Sequence, residues 1–240
     1  MIQKILDKYP EYRDTCGIYD LKDKAFTFIR DKTWELEATK DVVILVPTGT
    51  EGLNPKNTYE FVDNLDYTFT LLHNEIHKDT EPAANVIGEN CFIHPTAIIG
   101  TEGMHVAKAP DGSRVQMKHV GNVILEDNVS VFAFTTVDRG VFGSTIIGAS
   151  TKLDSHVSIG HNCKIGKNCV MTAGTIIAGS VVMGDNCMTG IGTRIRNYMT
   201  ISKNVIIGAG SVVVKNLDAP GMYVGVPAKL FSQFKSDWNF

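Results

Sequence analysis

The chain has 240 residues, a formal net charge of −3 at pH 7, and 43% hydrophobic against 20% charged residues. These values are typical of a soluble protein of one or two domains, and the slight negative charge argues against a surface that binds nucleic acid or another polyanion. No apolar run reaches the roughly 18 residues needed to span a bilayer, and the start, MIQKILDKYPEYRD, turns polar too early for a signal peptide. We therefore expect a cytoplasmic protein without a transmembrane segment.

Residues 1–82 show the elements of a small α/β domain. Residues 1–9 predict a short helix with one apolar face, residues 25–29 alternate like a strand, and residues 42–46 form a fully apolar run that predicts a buried strand. The sequence therefore predicts at least one helix and two strands before the repeats begin.

A second helix is expected later in the same domain. Asn57 stands at a possible N-cap, Glu60 lies three residues later at the capping-box position, and apolar residues follow as far as Leu65. Glu81-Pro82 then marks the expected end of the domain.

From residue 87 the chain changes to a repeat of six residues. In the uninterrupted run 147–212 the first positions are Ile147, Leu153, Ile159, Ile165, Met171, Ile177, Met183, Thr189, Ile195, Ile201 and Ile207. A period of six fits neither a helix nor an isolated strand, and it predicts a parallel β-helix whose aliphatic side chains fill a prism. Glycine follows the aliphatic residue in several units, where we expect it to supply an unusual backbone conformation at a corner.

Two breaks interrupt the repeat. After residue 100 a polar excursion occupies residues 101–122, with a turn expected at Asp111-Gly112, and a shorter break of four residues falls around Phe142. A loop as long as the first break is more often functional than accidental in a compact domain. The aromatic and proline-containing segment 218–240 is expected to cover the exposed sheet edge of the last coil.

The cysteines predict free thiols rather than disulfides. Cys163, Cys169 and Cys187 occupy the small inward position of the repeat, where cysteine behaves as a small hydrophobic residue. Cys16 and Cys91 are far apart in the sequence. This usage favours a reducing compartment such as the cytoplasm.

His161 stands out because it occupies neither inward position of its unit. Its usual pKa near 6.5 suits a general base at neutral pH, although an exposed surface imidazole is the alternative. One coil takes about 18 residues, so Gly179 lies one coil away, roughly 4.8 Å along the stack, where its backbone N–H can bind an oxyanion. Asp154, seven residues before the histidine, either orients the ring or hydrogen-bonds its own corner.

Three segments between residues 123 and 180 carry a specific pattern: VILEDNVSVFAFTTVDRG, TKLDSHVSIGHNCKIGKNC and IAGS. They resemble the UDP-3-O-(3-hydroxyacyl)glucosamine N-acyltransferases of lipid A synthesis, which are left-handed parallel β-helices. The resemblance implies that His161 is the catalytic base of the family's I-A-H-N segment and that Asp154 matches the family's upstream aspartate. Two departures follow that aspartate, because Ser155 stands where the family has Asn and His156 replaces a usual aliphatic residue.

The resemblance extends more weakly into the N-terminal domain. There the family builds a uracil pocket on a T-F-L-x-N-P-x-Y strand, and this chain has Thr-Phe-Ile-Arg-Asp-Lys-Thr-Trp at residues 27–34. The resemblance implies that Phe28 and Trp34 stack on uracil, with Asp31 where the family has Asn. The alternative is that these aromatic residues are part of the core.

The resemblance leaves the acyl donor open. The family ends in a helical extension that binds acyl carrier protein, whereas this chain ends soon after Gly225-Val226-Pro227-Ala228-Lys229. That segment is similar to the G-x-P-A-K segment of coenzyme A-dependent hexapeptide sugar acetyltransferases, which lies near the cofactor. We therefore expect Gly225, Pro227 and Ala228 at the donor site and favour a short acyl-CoA.

Two functions of another class stay open. Hexapeptide-fold carbonic anhydrases bind zinc through three histidines, two of them five residues apart, and His156 and His161 have that spacing. The third ligand would be His119, which lies in the excursion rather than on a coil. A non-catalytic scaffold is the other alternative.

Together these patterns predict a mainly β protein. A small α/β domain with a uridine-binding-like site occupies residues 1–82, a left-handed parallel β-helix with the loop 101–122 occupies 83–217, and a cap occupies 218–240. We expect a homotrimer that transfers a short acyl group from a thioester to the amine of a UDP-linked amino sugar, in surface-glycan or lipid A-type synthesis. The alternative is a 3-hydroxyacyl-carrier-protein-dependent UDP-glucosamine N-acyltransferase. No metal or tightly bound cofactor is expected, and acyl-CoA or acyl carrier protein is the co-substrate.

Overall fold

The computed structural model describes residues 1–17, 21–30 and 40–233. The first elements are α1 (Ile2–Lys8), β1 (Asp14–Thr15), β2 (Ala25–Phe28), β3 (Val42–Pro47), β4 (Thr58–Val62) and α2 (Leu65–Ile76). They are followed by β5 (Val86–Ile87), β6 (Phe92–Ile93), β7 (Ile98–Thr101), β8 (Val106–Lys108), β9 (Arg114–Gln116), β10 (Asn122–Leu125), β11 (Ser130–Val131), β12 (Thr136–Asp138) and β13 (Ser144–Ile147). The remaining strands are β14 (Lys152–Leu153), β15 (Ser158–Ile159), β16 (Lys164–Ile165), β17 (Val170–Met171), β18 (Ile176–Ile177), β19 (Val182–Met183), β20 (Met188–Thr189), β21 (Arg194–Ile195), β22 (Thr200–Ile201), β23 (Val205–Ile207), β24 (Val212–Val213), β25 (Gly221–Val224) and β26 (Lys229–Ser232).

The chain divides into two compact units. The N-terminal unit contains residues 1–81 and 104–120, and the solenoid unit contains residues 82–103 and the chain from residue 121 onward. The excursion, which the sequence places within the solenoid domain, forms the antiparallel hairpin β8–β9 with its turn at Asp111. This hairpin packs in the N-terminal unit because α2 binds its backbone, with Asn74 Nδ2 donating to Gln116 O at 2.8 Å.

The N-terminal unit is built on a four-stranded parallel sheet in the order β1-β2-β3-β4. The predicted helix at residues 1–9 and the predicted strands at 25–29 and 42–46 are confirmed as α1, β2 and β3. Five consecutive residues of β3 are buried, as expected for a parallel strand covered on both faces. Among the described residues, neither helix has the length and apolar character to cross a membrane.

The stretch after Asn57 is a strand, and the helix predicted there is wrong. Strand β4 is rich in β-branched and aromatic residues and extends the sheet by pairing along β3. Asn57 Nδ2 instead donates to the Tyr59 hydroxyl at 3.0 Å. The helix begins at Leu65, and its cap is Asn64, whose Oδ1 accepts from Tyr67 N at 3.3 Å. The open edge of β3 therefore outweighed the capping-box pattern.

The second unit confirms the predicted parallel β-helix. Its strands form three sheets, each called here by its first strand: the β5 sheet (β5-β10-β13-β16-β19-β22), the β6 sheet (β6-β11-β14-β17-β20-β23-β25-β26) and the β7 sheet (β7-β12-β15-β18-β21-β24). Each coil visits the three sheets in turn, and all the predicted aliphatic positions between residues 147 and 207 are buried. Thr189 is tolerated among them because its hydroxyl lies 2.8 Å from Thr175 Oγ1.

The glycines that follow the aliphatic positions serve a different purpose from the one expected. The left-handed backbone lies two residues later, as at Asn162 with a φ of 59°. A Cβ on Gly160 would lie 2.7 Å from Gly179 N, and one on Gly148 would lie 2.5 Å from Gly166 C. Glycine is required here because neighbouring coils approach closely, and asparagine tolerates the left-handed position.

The chain after the last hexapeptide adds to the β6 sheet. Strand β25 pairs in parallel with β23, and Tyr223 closes the core from this strand. Strand β26 then folds back antiparallel to β25. The last parallel edge of this sheet is therefore followed by one reversed strand.

Candidate active site

His161 lies in the corner between β15 of the β7 sheet and β16 of the β5 sheet. The pairing of β15 with β18 places Ile159 opposite Ile177, and Ser180 N donates to His161 O at 2.8 Å. The imidazole lies against the α-carbon of Gly179, because a Cβ on that glycine would be only 2.7 Å from His161 Nε2. The structure thus brings the two residues together at the one-coil spacing used in the sequence argument.

The backbone amide of Gly179 differs from those of its neighbours in its hydrogen bonding. Its neighbours make the usual bonds between coils, since Ala178 N donates to Ile195 O at 3.0 Å and Ser180 N donates to His161 O. Within residues 1–17, 21–30 and 40–233, no group accepts a hydrogen bond from Gly179 N. An N–H donor that has no acceptor among the described residues and lies beside an imidazole has the chemistry expected of an oxyanion site.

The orienting partner of the imidazole is Asn162, a residue that the sequence argument missed. His161 Nδ1 lies 3.0 Å from Asn162 Oδ1. The asparagine is held in turn by its neighbours, because its backbone N–H donates to Thr145 Oγ1 at 2.8 Å. The break in the repeat around Phe142 is the sequence feature that could have pointed to Asn162, because this segment contacts the Asn162 side chain.

The Asp154 carboxylate accepts hydrogen bonds from a backbone amide of its own corner and from one in the same corner of the following coil. One carboxylate oxygen accepts from Ser155 N at 2.7 Å, and the other accepts from Ala173 N at 3.1 Å. This is the alternative role considered from the sequence. His161 Nδ1 contacts Asn162 Oδ1, and an orienting role of Asp154 toward the ring stays a prediction.

Burial tunes the titratable groups around this corner. It lowers the pKa of His161, while the hydrogen bond with Asn162 works in the opposite direction. The imidazole is therefore neutral at pH 7, as a general base must be. Burial also raises the pKa of the Cys163 thiol to about 12, which leaves it without nucleophilic character. On β12, one coil below, burial raises the pKa of Asp138 to about 6.

Only part of the predicted uracil site falls within the described residues. Phe28, at the end of β2, is partly buried, and its ring centroid lies 4.6 Å from that of Phe69 on α2. The Arg30 guanidinium lies 5.2 Å from the Phe28 centroid and pairs with Asp66 at 3.0 Å. Asp31 and Trp34 lie outside the described residues. Phe28 therefore has both a packed neighbour and a cation over its ring.

The predicted donor segment lies at the far end of the solenoid. Gly225 has a φ of 96°, which favours glycine, and its carbonyl accepts from Val212 N at 3.0 Å. Ala228 N donates to Val212 O at 2.8 Å, and the peptide bond before Pro227 is cis. Strand β24 follows β15 by three places in the same sheet, so this segment lies roughly 14 Å along the stack from the coil of His161. The structure does not bring it to the imidazole itself.

The histidines of the zinc alternative have other surroundings. His156 is exposed and stacks on Phe134, with ring centroids 5.1 Å apart and an interplanar angle of 19°. His119 is buried in the N-terminal unit. In the part of the chain that the structure describes, no three His, Cys, Asp or Glu residues are grouped so as to hold a metal ion.

Comparisons with known sequences agree with the resemblance seen in the segments between residues 123 and 180. Residues 144–179 match the bacterial transferase hexapeptide (six repeats) family. The chain is 50% identical over 141 residues to the UDP-3-O-acylglucosamine N-acyltransferase of Campylobacter jejuni subsp. doylei, which covers 59% of this chain and 43% of that protein. It is 49% identical over 154 residues to the protein of the same name from Agrobacterium fabrum, covering 64% and 43%. The chain thus spans less than half the length of these relatives.

Solved structures show the same fold. UDP-N-acetylglucosamine O-acyltransferase from Moraxella catarrhalis superposes with a TM-score of 0.55 at 24% identity, covering 62% of this chain and 56% of that one. The Arabidopsis UDP-N-acetylglucosamine acyltransferase gives a TM-score of 0.57 at 19% identity, covering 91% and 68%. The predicted left-handed parallel β-helix is confirmed by these similarities.

Proposed function

We propose, from the similarity of this chain to UDP-3-O-acylglucosamine N-acyltransferases, that it transfers an acyl group from a thioester to the amine of a UDP-linked amino sugar. The observation that carries the proposal is the corner where His161 lies against Gly179, since no described residue accepts a hydrogen bond from the Gly179 amide. A neutral base and a fixed N–H donor within one coil spacing are the two groups that amide formation from a thioester needs.

The relatives' name favours the carrier-protein alternative over the short acyl-CoA. An enzyme that acts on a sugar already bearing a 3-O-acyl chain belongs with long acyl donors, for which acyl carrier protein is the carrier in the resembling family. We therefore propose a 3-hydroxyacyl thioester as the donor. Gly225, Pro227 and Ala228, beside β24 of the β7 sheet, are proposed to contact the extended donor arm.

In the proposed mechanism the sugar amine attacks the thioester carbonyl carbon. His161 Nε2 takes the proton that the nitrogen loses, and the Gly179 N–H binds the carbonyl oxygen as it becomes an oxyanion. When the intermediate collapses, the C–S bond breaks and the imidazolium returns the proton to the departing thiolate. Loss of a general base costs about 10²–10⁴ in rate, and loss of an oxyanion donor costs about 2.7–4 kcal/mol.

The acceptor side of the proposal uses the N-terminal unit. We propose that Phe28 and Trp34 stack on uracil with Asp31 between them, as the family resemblance implies. The enzyme is proposed to act as a homotrimer, which light scattering of the purified chain tests directly, and a stable active monomer would contradict it.

The decisive experiment is a transfer assay with matched donors. Release of thiol would be followed with a UDP-3-O-acyl amino sugar and with UDP-glucosamine, each offered 3-hydroxyacyl carrier protein and acetyl-CoA. We expect turnover with the acylated sugar and the carrier-protein donor, and a loss of at least a hundredfold in His161→Ala. A preference for acetyl-CoA would restore the short-acyl alternative. Equal rates for the unmodified protein and His161→Ala would show that His161 takes no part in the reaction.

A further inference from the structure

The repeat is broken by four extra residues directly beside the candidate base. Val137 pairs with Ile159 and Ile159 pairs with Ile177, so the coil that ends at Ile159 is longer by four positions than the coil that follows it. The additional residues are 140–143, called here the corner insertion. Both ends of the insertion are bonded to Asn122, the first residue of β10. Asn122 N donates to Gly143 O at 3.2 Å, and Gly140 N donates to Asn122 O at 3.2 Å.

The corner insertion holds both polar atoms of the Asn162 side chain. Val141 N donates to Asn162 Oδ1 at 2.9 Å, and Asn162 Nδ2 donates to Phe142 O at 2.7 Å. The approach is close, since a Cβ on Gly140 would lie 3.0 Å from Asn162 Nδ2. A flipped amide, with its nitrogen and oxygen exchanged, would set N–H against N–H and oxygen against oxygen. The backbone of the insertion therefore fixes which atom of Asn162 is the oxygen.

The fixed amide also determines which nitrogen of the imidazole bears the proton. His161 Nδ1 faces Asn162 Oδ1 at 3.0 Å, and this oxygen can only accept. The short contact is favourable only when Nδ1 carries the hydrogen. In the neutral ring the lone pair then resides on Nε2, the nitrogen that lies against Gly179.

We propose that the corner insertion, acting through Asn162, holds His161 in the Nδ1–H tautomer and so presents Nε2 as the base. Asn162 is then a positioning residue, and the insertion contributes to catalysis by holding the Asn162 side chain. The inference rests on the proposed function for its catalytic meaning. The tautomer itself is a property of the resting protein and is measurable without substrate.

An amide differs from a carboxylate in this position. Asn162 orients the ring without placing a negative charge beside it, so the imidazole stays neutral in its half-buried corner. A carboxylate at residue 162 would still accept from Nδ1 and from Val141 N, but it would face Phe142 O without a donor. It would also stabilise the imidazolium. Asn162→Asp therefore separates orientation from charge.

The test is imidazole ¹⁵N NMR of the full chain above the pKa of His161, with its signals assigned by their loss in His161→Gln. We expect a protonated Nδ1 and an unprotonated Nε2 in the unmodified protein. Asn162→Ala should release the ring to the Nε2–H form or to a mixture. Val141→Pro, which removes the donor to Asn162, should shift the ratio in the same direction, and its control Val141→Ala, which keeps that N–H, should not.

The kinetic readout accompanies the spectra. Asn162→Ala should lower kcat/KM by less than the roughly 10²–10⁴-fold expected for His161→Ala, and Asn162→Asp should move the acidic limb of the pH profile to higher pH. An Nε2–H ring in the unmodified protein, or an unchanged ring in Asn162→Ala, would overturn the proposal. If Val141→Pro does not fold, Asn162→Ala decides alone. A fixed Nδ1–H tautomer in an inactive protein would instead refute the proposed function.

Discussion

The buried histidine of the N-terminal unit makes the stability of that unit depend on pH. His73 is fully buried, its Nδ1 lies 2.6 Å from Thr15 Oγ1, and its Nε2 lies 2.7 Å from Lys118 O. A carbonyl only accepts, so Nε2 carries the hydrogen and Nδ1 accepts from the threonine hydroxyl. A second proton on Nδ1 would oppose that hydroxyl donor. The neutral ring is the form that the fold requires.

The surroundings of the His73 ring lower its pKa below the ordinary value of a histidine. Burial lowers the pKa of His73 to about 4, the hydrogen bond with the Lys118 carbonyl raises it, His77 and His119 lower it, and Asp14 raises it. His77 is bonded to the same Thr15 hydroxyl at 3.0 Å. The unfolded chain holds its histidine near the ordinary value of 6.5.

The sign of the effect follows from this depressed pKa. Between pH 6.5 and about 4 the unfolded chain binds a proton that the folded unit does not. The stabilisation from neutral His73 is therefore complete above pH 6.5 and is lost as the pH falls through this window. The interval between the two pKa values corresponds to about 3 kcal/mol, with a slope of about 1.4 kcal/mol per pH unit inside the window.

The assay must report on the N-terminal unit alone. Urea unfolding at a series of pH values, read by a hydrogen-exchange pulse at fixed pH, gives a transition for peptides of β3 and, as an internal control, for peptides of β15–β18. We expect His73→Gln to lower the slope of unfolding free energy against pH for β3 and to leave that of the solenoid peptides unchanged. Equal slopes for β3 in both proteins would refute the reasoning, as would a stability that rises as the pH falls through the window.

Four further changes test the site. His161→Ala should keep the melting temperature, because the side chain is outside the prism, and should remove the acidic limb of the kcat/KM profile; near-normal turnover would contradict the assignment. Gly179→Ala places a Cβ 2.7 Å from Nε2 and should displace the ring, with a loss of about 10²-fold in kcat and little change in melting temperature; an unchanged kcat would show that the contact is not tight. Phe28→Ala should raise KM for the sugar nucleotide roughly 5- to 150-fold if the ring stacks on uracil, and a fall in melting temperature at constant KM would identify it as core. Asp154→Ala should lower stability by about 1 kcal/mol through the lost corner bonds, and a shifted pH limb would instead return it to the imidazole.

The sequence predicted those features that repeat and failed on those that depend on a single partner. The inward positions, from Ile147 to Ile207, follow from a period that every coil obeys, so the buried set could be assigned without coordinates. Gly160 was assigned correctly as special but for the wrong reason, because a close approach between coils and a left-handed backbone both select glycine. Sequence periodicity alone does not distinguish the two.

The partner of the imidazole shows the same difficulty. Asp154 and Asn162 are both polar residues near His161 in the sequence, and the sequence alone does not show which of their carboxylate or amide atoms bind backbone. Those bonds come from residues 173 and 141–142, which only the fold brings near. The helix predicted after Asn57 failed for a similar reason, since the available edge of β3 lies outside any local window.

The hairpin β8–β9 has a consequence for biosynthesis. It belongs with α2 in the N-terminal unit, yet residues 82–103, which the ribosome makes between them, belong to the solenoid. A nascent chain released up to Glu81 therefore has the α2 side chains that bind the hairpin, such as Asn74, without their acceptors. The first unit can be completed only after the earliest strands of the second have been synthesised. Expression of residues 1–81 alone would reproduce this unfinished state, so a boundary for separate expression has to include residues 104–120.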